Sequence, residues 1–166
     1  WQIDCSPLGQ RRSHSAAEIT PGLPDKHGFG QSPRRVARKI RIGCIGAGAM
    51  GVSHLELFHR ECRGQAEAVA LCASDPGRIA RAMEVAPEMR LFKNERDLIH
   101  SDLDAVVVSS PNFTHVPLAL EALKAGKHLF LEKPVGITPT ECRKLLRASA
   151  KSDRVLLIGH ELRHCL

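Results

Sequence analysis

The sequence predicts an α/β domain: a doubly wound parallel sheet with helices on both faces. Short apolar runs alternate with helical patterns along most of the chain, which is the order of parallel strands joined by crossover helices. The segment 104–110 contains three consecutive valines, as expected of a strand buried on both faces. A glycine-rich turn joins the first apolar run to the first helical pattern.

The amino-terminal part differs in composition from the rest. Residues 1–38 contain four prolines and four glycines and show no sustained apolar period, so they cannot bury enough surface to offset the entropy of ordering. We predict a disordered basic extension over residues 1–38 and a folded domain over residues 39–166. A transit peptide is the alternative, which the basic and serine residues suit and the three acidic residues oppose.

The first repeating unit begins at residue 40. Residues 40–45 are largely apolar and predict a short strand, and residues 49–63 place apolar side chains at helical spacing. A second apolar run, residues 68–73, predicts the next strand. The helical pattern after it ends at Ala86, because Pro87 cannot continue a helix.

The middle of the chain continues this alternation. Residues 89–92 predict a short third strand, and Asn94 is a suitable cap for a helix of one or two turns. Residues 104–110 are the fourth strand. Residues 111–114 predict a loop and a helix cap, and the helix follows over residues 115–125.

Two further strands complete the predicted sheet. Residues 128–131 form the fifth, which the triplet 132–134 ends. The next helix begins with Pro139 at its first position and reaches Lys151. Residues 155–159 are the sixth strand.

Charge and cysteine content exclude several classes of protein. The net charge is +6, but residues 1–39 carry seven Lys/Arg against three Asp/Glu and the other 127 carry seventeen against fifteen. The basic excess therefore lies mostly in the extension, and we predict no nucleic-acid partner. No apolar run is long enough to cross a membrane. The six cysteines form no C-x-x-C pair, which predicts no metal site and a reducing, cytoplasmic location.

The glycine turn has the spacing of a dinucleotide-binding motif. Gly46 allows the tight turn, Gly48 removes a side chain that would collide with a pyrophosphate, and Gly51 lets the helix pack close to the strand. Ala49 and Met50 open the helix, whose amino end offers N–H groups and a positive dipole to phosphates. A glycine-rich turn that binds no ligand is the alternative.

An acidic residue follows the second strand at the expected distance. Asp75 lies 24 positions after Gly51, near the offset of the acid that accepts hydrogen bonds from the adenosine ribose. A carboxylate there repels a 2′-phosphate and favours NAD. NADP stays open, because Arg78 and Ser74 suit such a phosphate. Asp75 is also a suitable helix cap before Pro76.

Two more loops belong to the same edge of the sheet. Residues 109–115 follow the fourth strand and residues 132–134 follow the fifth, and ligands of open α/β sheets bind beyond the carboxyl ends of the strands. Lys133, beside Glu132, can donate to a substrate oxygen and polarise it during hydride transfer. A solvated charged loop is the alternative.

These motifs together resemble a known family. The chain resembles the Gfo/Idh/MocA family, which includes glucose-fructose oxidoreductase and inositol 2-dehydrogenase, over residues 39–166. The resemblance rests on Gly46-x-Gly48-x-x-Gly51, Asp75, Ser110-Pro111-Asn112-Phe113-Thr114-His115, Glu132-Lys133-Pro134 and Gly159-His160-x-x-Arg163.

The resemblance implies a Rossmann-type NAD(P)-binding domain with Lys133 as its catalytic residue. It places Glu132 and Pro134 near the nicotinamide and Asn112 and His115 along the cofactor cleft; packing of His115 on a helix face is the alternative. The implied cofactor-binding set is Gly46, Gly48, Ala49, Met50, Gly51, Asp75, Ser110, Asn112, His115, Glu132, Lys133 and Pro134.

The sequence leaves two classes of function open. Members of the family continue into a second α/β domain that forms most of the substrate pocket, and we expect that domain to be absent from this chain. The first class is an oxidoreductase, or its cofactor domain, acting on a sugar, inositol or related polyol. The second is a nucleotide-binding module without catalysis, such as a sensor or a gene fragment. The Glu-Lys-Pro triplet disfavours an amino-acid dehydrogenase, and the oligomeric state is not predicted.

Overall fold

The computed structural model describes residues 38–62 and 64–160. The predicted extension therefore lies outside the described residues, except for Arg38, and so does Arg163. In chain order the elements are β1 (Ile40–Ile45), α1 (Ala49–Arg60), β2 (Ala66–Cys72), α2 (Pro76–Val85), β3 (Arg90–Phe92), α3 (Glu95–Ile99), β4 (Ala105–Val108), a 3-10 turn (Asn112–Thr114), α4 (His115–Lys124), β5 (His128–Glu132), α5 (Pro139–Ser149) and β6 (Leu156–Gly159).

The six strands form one parallel sheet in the order β3-β2-β1-β4-β5-β6. The chain builds outward from β1 to β3, returns to the other side of β1, and builds outward again to β6. The loops that follow β1 and β4 therefore diverge and leave a crevice between them. This architecture confirms the predicted doubly wound fold.

Both faces of the sheet are covered by helices, which explains the unbroken apolar character of β4. Val106 and Val108 pack in the core that also contains Ala119, from α4, and Leu145, from α5. Val107 points to the opposite face and packs in the core formed with α1 and α2. Because side chains alternate between the faces of a strand, a strand buried on both sides needs apolar residues at every position.

The strand boundaries differ from the predictions by one or two residues for identifiable reasons. β2 begins at Ala66 rather than residue 68, because Ala66 pairs with Ile40 at the start of β1. β4 ends at Val108 rather than residue 110, because the Ser109 side chain turns toward the loop after β1 and its hydroxyl donates to the carbonyl oxygen of Gly46 (3.2 Å).

Three helices begin as the sequence predicts, each with a capping side chain. Asp75 accepts from the backbone N–H of Arg78, Asn94 caps α3, and Thr138 with Glu141 forms a reciprocal capping box at α5. The cap predicted within residues 111–114 is different. Thr114 occupies the cap position of α4 but makes no capping bond: its backbone is already helical (φ −91°, ψ −13°), and its hydroxyl donates to the carbonyl of Pro111, which precedes the 3-10 turn.

An ion pair joins the beginnings of β1 and β4. The Asp104 carboxylate accepts two hydrogen bonds from the Arg38 guanidinium (2.7 and 3.0 Å) and one from the backbone N–H of Arg41 (2.8 Å). The Arg38 hydrogen bond, followed by that of Arg41, lowers the pKa of Asp104 below its ordinary value. These contacts align the two central strands at the end opposite the crevice.

Cys44 and Cys72 are buried thiols in this core. Burial raises the pKa of Cys44 to about 12, so the side chain behaves as a small apolar group. Within residues 38–62 and 64–160, none of the helices has the length and apolar composition needed to cross a bilayer.

Candidate functional site

A cleft of about 200 Å³ opens at the crevice between the loops after β1 and β4. It brings together four of the predicted cofactor-binding residues, Gly46, Gly48, Asp75 and Ser110. The cleft is lined by residues 46–48, 72–75, 78, 93, 95 and 109–111. A larger cavity, of about 360 Å³, is lined by the start of β2 and the carboxyl ends of α1 and α2. That cavity is at the amino ends of the strands, away from the edge where such sheets bind ligands.

Two glycines of the turn are required by the protein itself. Gly46 has a φ of +99°, and a Cβ there would lie 2.6 Å from the carbonyl oxygen of Ser109. A Cβ on Gly51 would lie 2.4 Å from the carbonyl oxygen of Gly46. At both positions neighbouring backbone fills the space that a Cβ would take. Any larger side chain would therefore force α1 away from β1 and β4.

Gly48 is different, because no neighbouring atom of the protein would clash with a side chain at this position. Its φ of −68° and ψ of −175° are accessible to any L-residue. The nearest atom to a Cβ placed there is Nη1 of Arg78, at 4.0 Å. The missing side chain therefore leaves open a part of the cleft that a ligand can fill.

The amino end of α1 faces this cleft without a capping side chain. Gly48 is its cap residue and forms no side-chain hydrogen bond, and the first turn, Ala49 to Gly51, contains no acidic residue. The N–H groups and the positive dipole end of a helix attract anions. The arrangement fits a phosphate group placed over Gly48.

Asp75 is exposed and lines the cleft. It also caps α2, the alternative role that the sequence indicated for it. Its Oδ1 accepts from the backbone N–H of Arg78 at 2.8 Å. A carboxylate accepts several hydrogen bonds, so capping does not prevent it from binding ligand hydroxyls. Arg78, Lys93 and Glu95 line the same cleft, so charges of both signs surround Asp75.

The loop after β4 contributes Ser110 to the cleft, while Asn112 and His115 lie outside its lining. Asn112 is exposed on the 3-10 turn. His115 is buried, with 1% of its surface exposed, and its ring lies between two backbone carbonyls. Nδ1 is 2.7 Å from the oxygen of Pro134 and Nε2 is 2.9 Å from the oxygen of Ser110. His115 thus joins the loops after β4 and β5.

The residues of the Glu-Lys-Pro triplet point in different directions. Lys133 and Pro134 are exposed at the carboxyl edge, and the peptide bond between them is cis. Glu132 is the last residue of β5 and only 4% exposed. Its carboxylate accepts a hydrogen bond from Nε2 of His54 in α1 (2.7 Å) and another from the backbone N–H of Lys133 (3.1 Å).

Comparison with known proteins agrees with this geometry. The model of the Gfo/Idh/MocA family, described as an oxidoreductase family with an NAD-binding Rossmann fold, matches residues 40–160. The chain belongs to the Gfo/Idh/MocA family. Its Rossmann domain is therefore an NAD-binding domain of the oxidoreductase type.

Several inositol 2-dehydrogenases are similar to this Gfo/Idh/MocA domain in sequence. The enzyme of Salmonella paratyphi B is 31% identical over 128 residues, which cover 75% of this chain and 38% of the enzyme. Inositol 2-dehydrogenase 1 of Saccharopolyspora erythraea is 36% identical over 124 residues, covering 73% and 36%. The chain thus spans less than two fifths of the length of these relatives.

Solved structures show the same relation. The scyllo-inositol dehydrogenase of Lactobacillus casei, solved with NAD(H) and scyllo-inositol, has 27% identity and a TM-score of 0.70, covering 76% of this chain and 38% of that enzyme. The biliverdin reductase of Synechocystis, solved with NADP+ and biliverdin, has 26% identity and a TM-score of 0.69, covering 75% and 39%. Proteins of similar fold thus include one solved with each dinucleotide.

The sequence reasoning did not single out His54, and it named Gly159 only as part of the Gly159-His160-x-x-Arg163 motif, without connecting either residue to Glu132. His54 lies four residues before Phe58, so helical spacing already placed it on a face that packs on the protein. A Cβ on Gly159 would lie 3.1 Å from Oε1 of Glu132. These contacts depend on the pairing of distant segments, which periodicity does not reveal.

Proposed function

We propose that this chain is the cofactor-binding domain of an oxidoreductase that binds NAD in preference to NADP. The enzyme would transfer a hydride between the nicotinamide and a hydroxyl-bearing carbon of a sugar, inositol or related polyol. The observation that carries the proposal is the open position at Gly48, above the uncapped amino end of α1. Protein packing does not account for glycine at this position, whereas a bound pyrophosphate does.

The residues of the cleft suit the parts of a dinucleotide. The backbone N–H groups of residues 48–51 would hold the pyrophosphate, and Asp75 would accept hydrogen bonds from the adenosine ribose. Ser110 lines the cleft between these loops. In the same proposal, Asn112, His115, Glu132 and Pro134 shape the nicotinamide end, with His115 acting from its buried position between the two loops.

Lys133 is the proposed catalytic residue. It is exposed one position after β5, at the edge of the sheet where the cleft opens. When bound, the nicotinamide supplies the hydride acceptor or donor. Lys133 would hold the reacting substrate oxygen by a hydrogen bond and exchange its proton as the C–H bond breaks or forms. The choice of a polyol substrate is supported by the inositol dehydrogenases to which the chain is similar.

A cytoplasmic location, without nucleic-acid or membrane partners, completes the proposal. The location is supported by the free thiols of Cys44 and Cys72, which are buried in the core. The absence of a nucleic-acid partner is supported by the near balance of seventeen Lys/Arg against fifteen Asp/Glu over residues 40–166.

Cofactor binding is tested by thermal unfolding in the presence of NADH. A ligand at one hundred times its Kd stabilises the folded state by about 2.7 kcal/mol, which at this size corresponds to a rise in Tm of about 5 °C or more. We expect this rise for the wild-type chain. The matched variant is Gly48→Val, whose side chain would enter the open space of the cleft. We expect its Tm without ligand to stay within about 2 °C of the wild type and the NADH-induced rise to disappear.

The outcomes separate folding from binding. A full NADH-induced rise in Gly48→Val would show that the dinucleotide does not bind over Gly48. No rise in the wild type with either NADH or NADPH would remove the proposed cofactor role altogether.

Replacement of Asp75 by serine should change cofactor preference without unfolding α2. Serine is also a good helix cap, so the bond to the N–H of Arg78 can be replaced. The carboxylate that would accept the ribose hydroxyls and repel a 2′-phosphate is lost. We expect NAD affinity to fall about tenfold, the loss of roughly one charged hydrogen bond, and NADP affinity to rise relative to it. Titration calorimetry with both dinucleotides measures the ratio, which would stay unchanged if Asp75 only caps the helix.

A further inference from the structure

A buried polar contact outside the cleft joins His54 to Glu132. The His54 side chain is 13% exposed and that of Glu132 is 6% exposed. Nε2 of His54 lies 2.7 Å from Oε1 of Glu132; because a carboxylate oxygen only accepts, the ring must donate from Nε2 for this hydrogen bond to form. The contact joins α1 to the end of β5 across 78 positions of the sequence.

Groups from three parts of the fold surround the Glu132 carboxylate. The His54 ring packs edge-on against Phe130, with the ring centroids 4.7 Å apart. Gly159 of β6 also lies beside the carboxylate, and a Cβ on Gly159 would come within 3.1 Å of Oε1 of Glu132. The second oxygen accepts from the N–H of Lys133 at 3.1 Å. His54, packed against Phe130, therefore holds the carboxylate in the space beside Gly159, and the carboxylate accepts from the backbone of Lys133.

Stability alone gives no reason for this arrangement. Burying a carboxylate costs several kcal/mol, and well-packed apolar residues usually stabilise a core as well as a buried polar pair does. Glu132 directly precedes Lys133 in the chain. The path of the backbone at this point therefore determines the position of the Lys133 amine at the carboxyl edge of the sheet. Buried hydrogen bonds of this kind orient neighbouring functional groups.

α1 connects this contact to the phosphate-binding turn. His54 follows Ala49, the first residue of the helix, by five positions, a distance of about 7.5 Å along the axis. The same helix therefore carries the proposed phosphate-binding end and the imidazole that holds Glu132. Both features lie on one continuous helix of twelve residues.

We propose that His54 is a positioning residue that, through Glu132, sets the place of Lys133 beside the bound nicotinamide. The inference rests on the proposed function, since it assigns His54 to the same reaction. His54 does not touch the substrate or the cofactor in this proposal; it acts through the carboxylate between them.

The test uses two variants of equal polarity and nuclear magnetic resonance of the whole chain. In His54→Gln the side-chain N–H₂ can take the place of Nε2, whereas in His54→Asn it is too short to reach Glu132. The matched control is His59→Asn, at an exposed position of the same helix. Backbone amide signals of Gly48, Gly51 and Lys133 are followed during titration with NADH, and the Tm of each variant is recorded.

In the wild type we expect all three amide signals to move with one binding curve. In His54→Asn the glycine signals should still move, with a Kd within about threefold of the wild type, while the Lys133 shift should be lost. His54→Gln and His59→Asn should keep it. A Lys133 shift in His54→Asn equal to that of the wild type would overturn the inference. Failure of the glycine signals to move in the wild type would instead overturn the proposed function.

A direct measurement keeps the inference testable if His54→Asn does not fold. Long-range ¹H–¹⁵N correlation shows which ring nitrogen of His54 carries the proton in the wild type. We expect the proton on Nε2, facing Glu132. A neutral ring with its proton on Nδ1 could not donate to the carboxylate, and that result would end the proposal without any variant.

Discussion

Replacing Gly51 with alanine is expected to cost the domain about 3 kcal/mol of unfolding free energy and its ability to bind a dinucleotide. The added Cβ would lie 2.4 Å from the carbonyl oxygen of Gly46 and 2.9 Å from Oγ of Ser109. The serine hydroxyl can rotate away, but the backbone oxygen can move only if the turn between β1 and α1 opens. That movement would also displace the amino end of α1. Urea unfolding and NADH titration measure the two effects.

Gly77→Ala is the matched control, because Gly77 also lies in the first turn of a helix that follows a strand. A Cβ there meets only Oδ1 of Asp75, at 3.4 Å, which is ordinary contact. Alanine favours a helix over glycine by roughly 0.5–1 kcal/mol, so this variant should be as stable as the wild type or slightly more so. Equal stability of Gly51→Ala and Gly77→Ala would show that α1 does not pack against β1 as closely as the structure indicates.

The glycine turn could be predicted almost completely, because the features that define it are adjacent in the sequence. A strand, a turn and the first turn of a helix lie within residues 40–51, and each glycine has a separate steric reason. The structure adds a distinction that spacing cannot provide. Gly46 and Gly51 are required by the protein's own backbone, whereas Gly48 faces open space. Variants at these positions should therefore have different phenotypes: loss of both stability and binding at Gly51, and loss of binding alone at Gly48.

The fold was predictable from the run of valines in β4 and from the alternation of strands and helices. The short element β3 could also be predicted, although its three residues bury little surface. The strand ends were less certain, because the end of a strand depends on its partner. Ala66 belongs to β2 only because Ile40 lies beside it, and propensity at Ala66 and Glu67 carries no information about that neighbour.

The contacts that organise the loops around Lys133 could not be predicted from the sequence. The topology rule placed residues 109–115 and 132–134 at one edge, but the contacts that organise them were not visible. His115 joins the carbonyls of Ser110 and Pro134, and His54 reaches Glu132 from another helix. Both are histidines in helices, which a periodic pattern treats as ordinary partly polar positions. Their partners lie in loops and strands whose relative position is set only by the folded sheet.

Lys133→Ala is expected to lower kcat by about 10²- to 10⁴-fold, the range of a lost proton-transferring group, with the Kd for NADH changed less than about threefold. The lysine is exposed, so the truncated variant should still fold, and its Tm is recorded as a check. In the proposed function the dinucleotide is held mainly by residues 46–51, after β1, and by Asp75, after β2. Turnover is measured with inositols and related polyols on the natural full-length protein.

The control for this substitution is Lys144→Ala, which removes an exposed lysine from α5, away from the carboxyl edge of the sheet. It should leave both kcat and NADH binding unchanged. Lys133→Arg distinguishes a role for the positive charge from a role in proton transfer, because the guanidinium keeps the charge but does not release its proton. If Lys133 exchanges a proton with the substrate, arginine should not restore the rate. Full activity in Lys133→Ala would remove this residue from the mechanism and would leave His54 and Glu132 with a structural role alone.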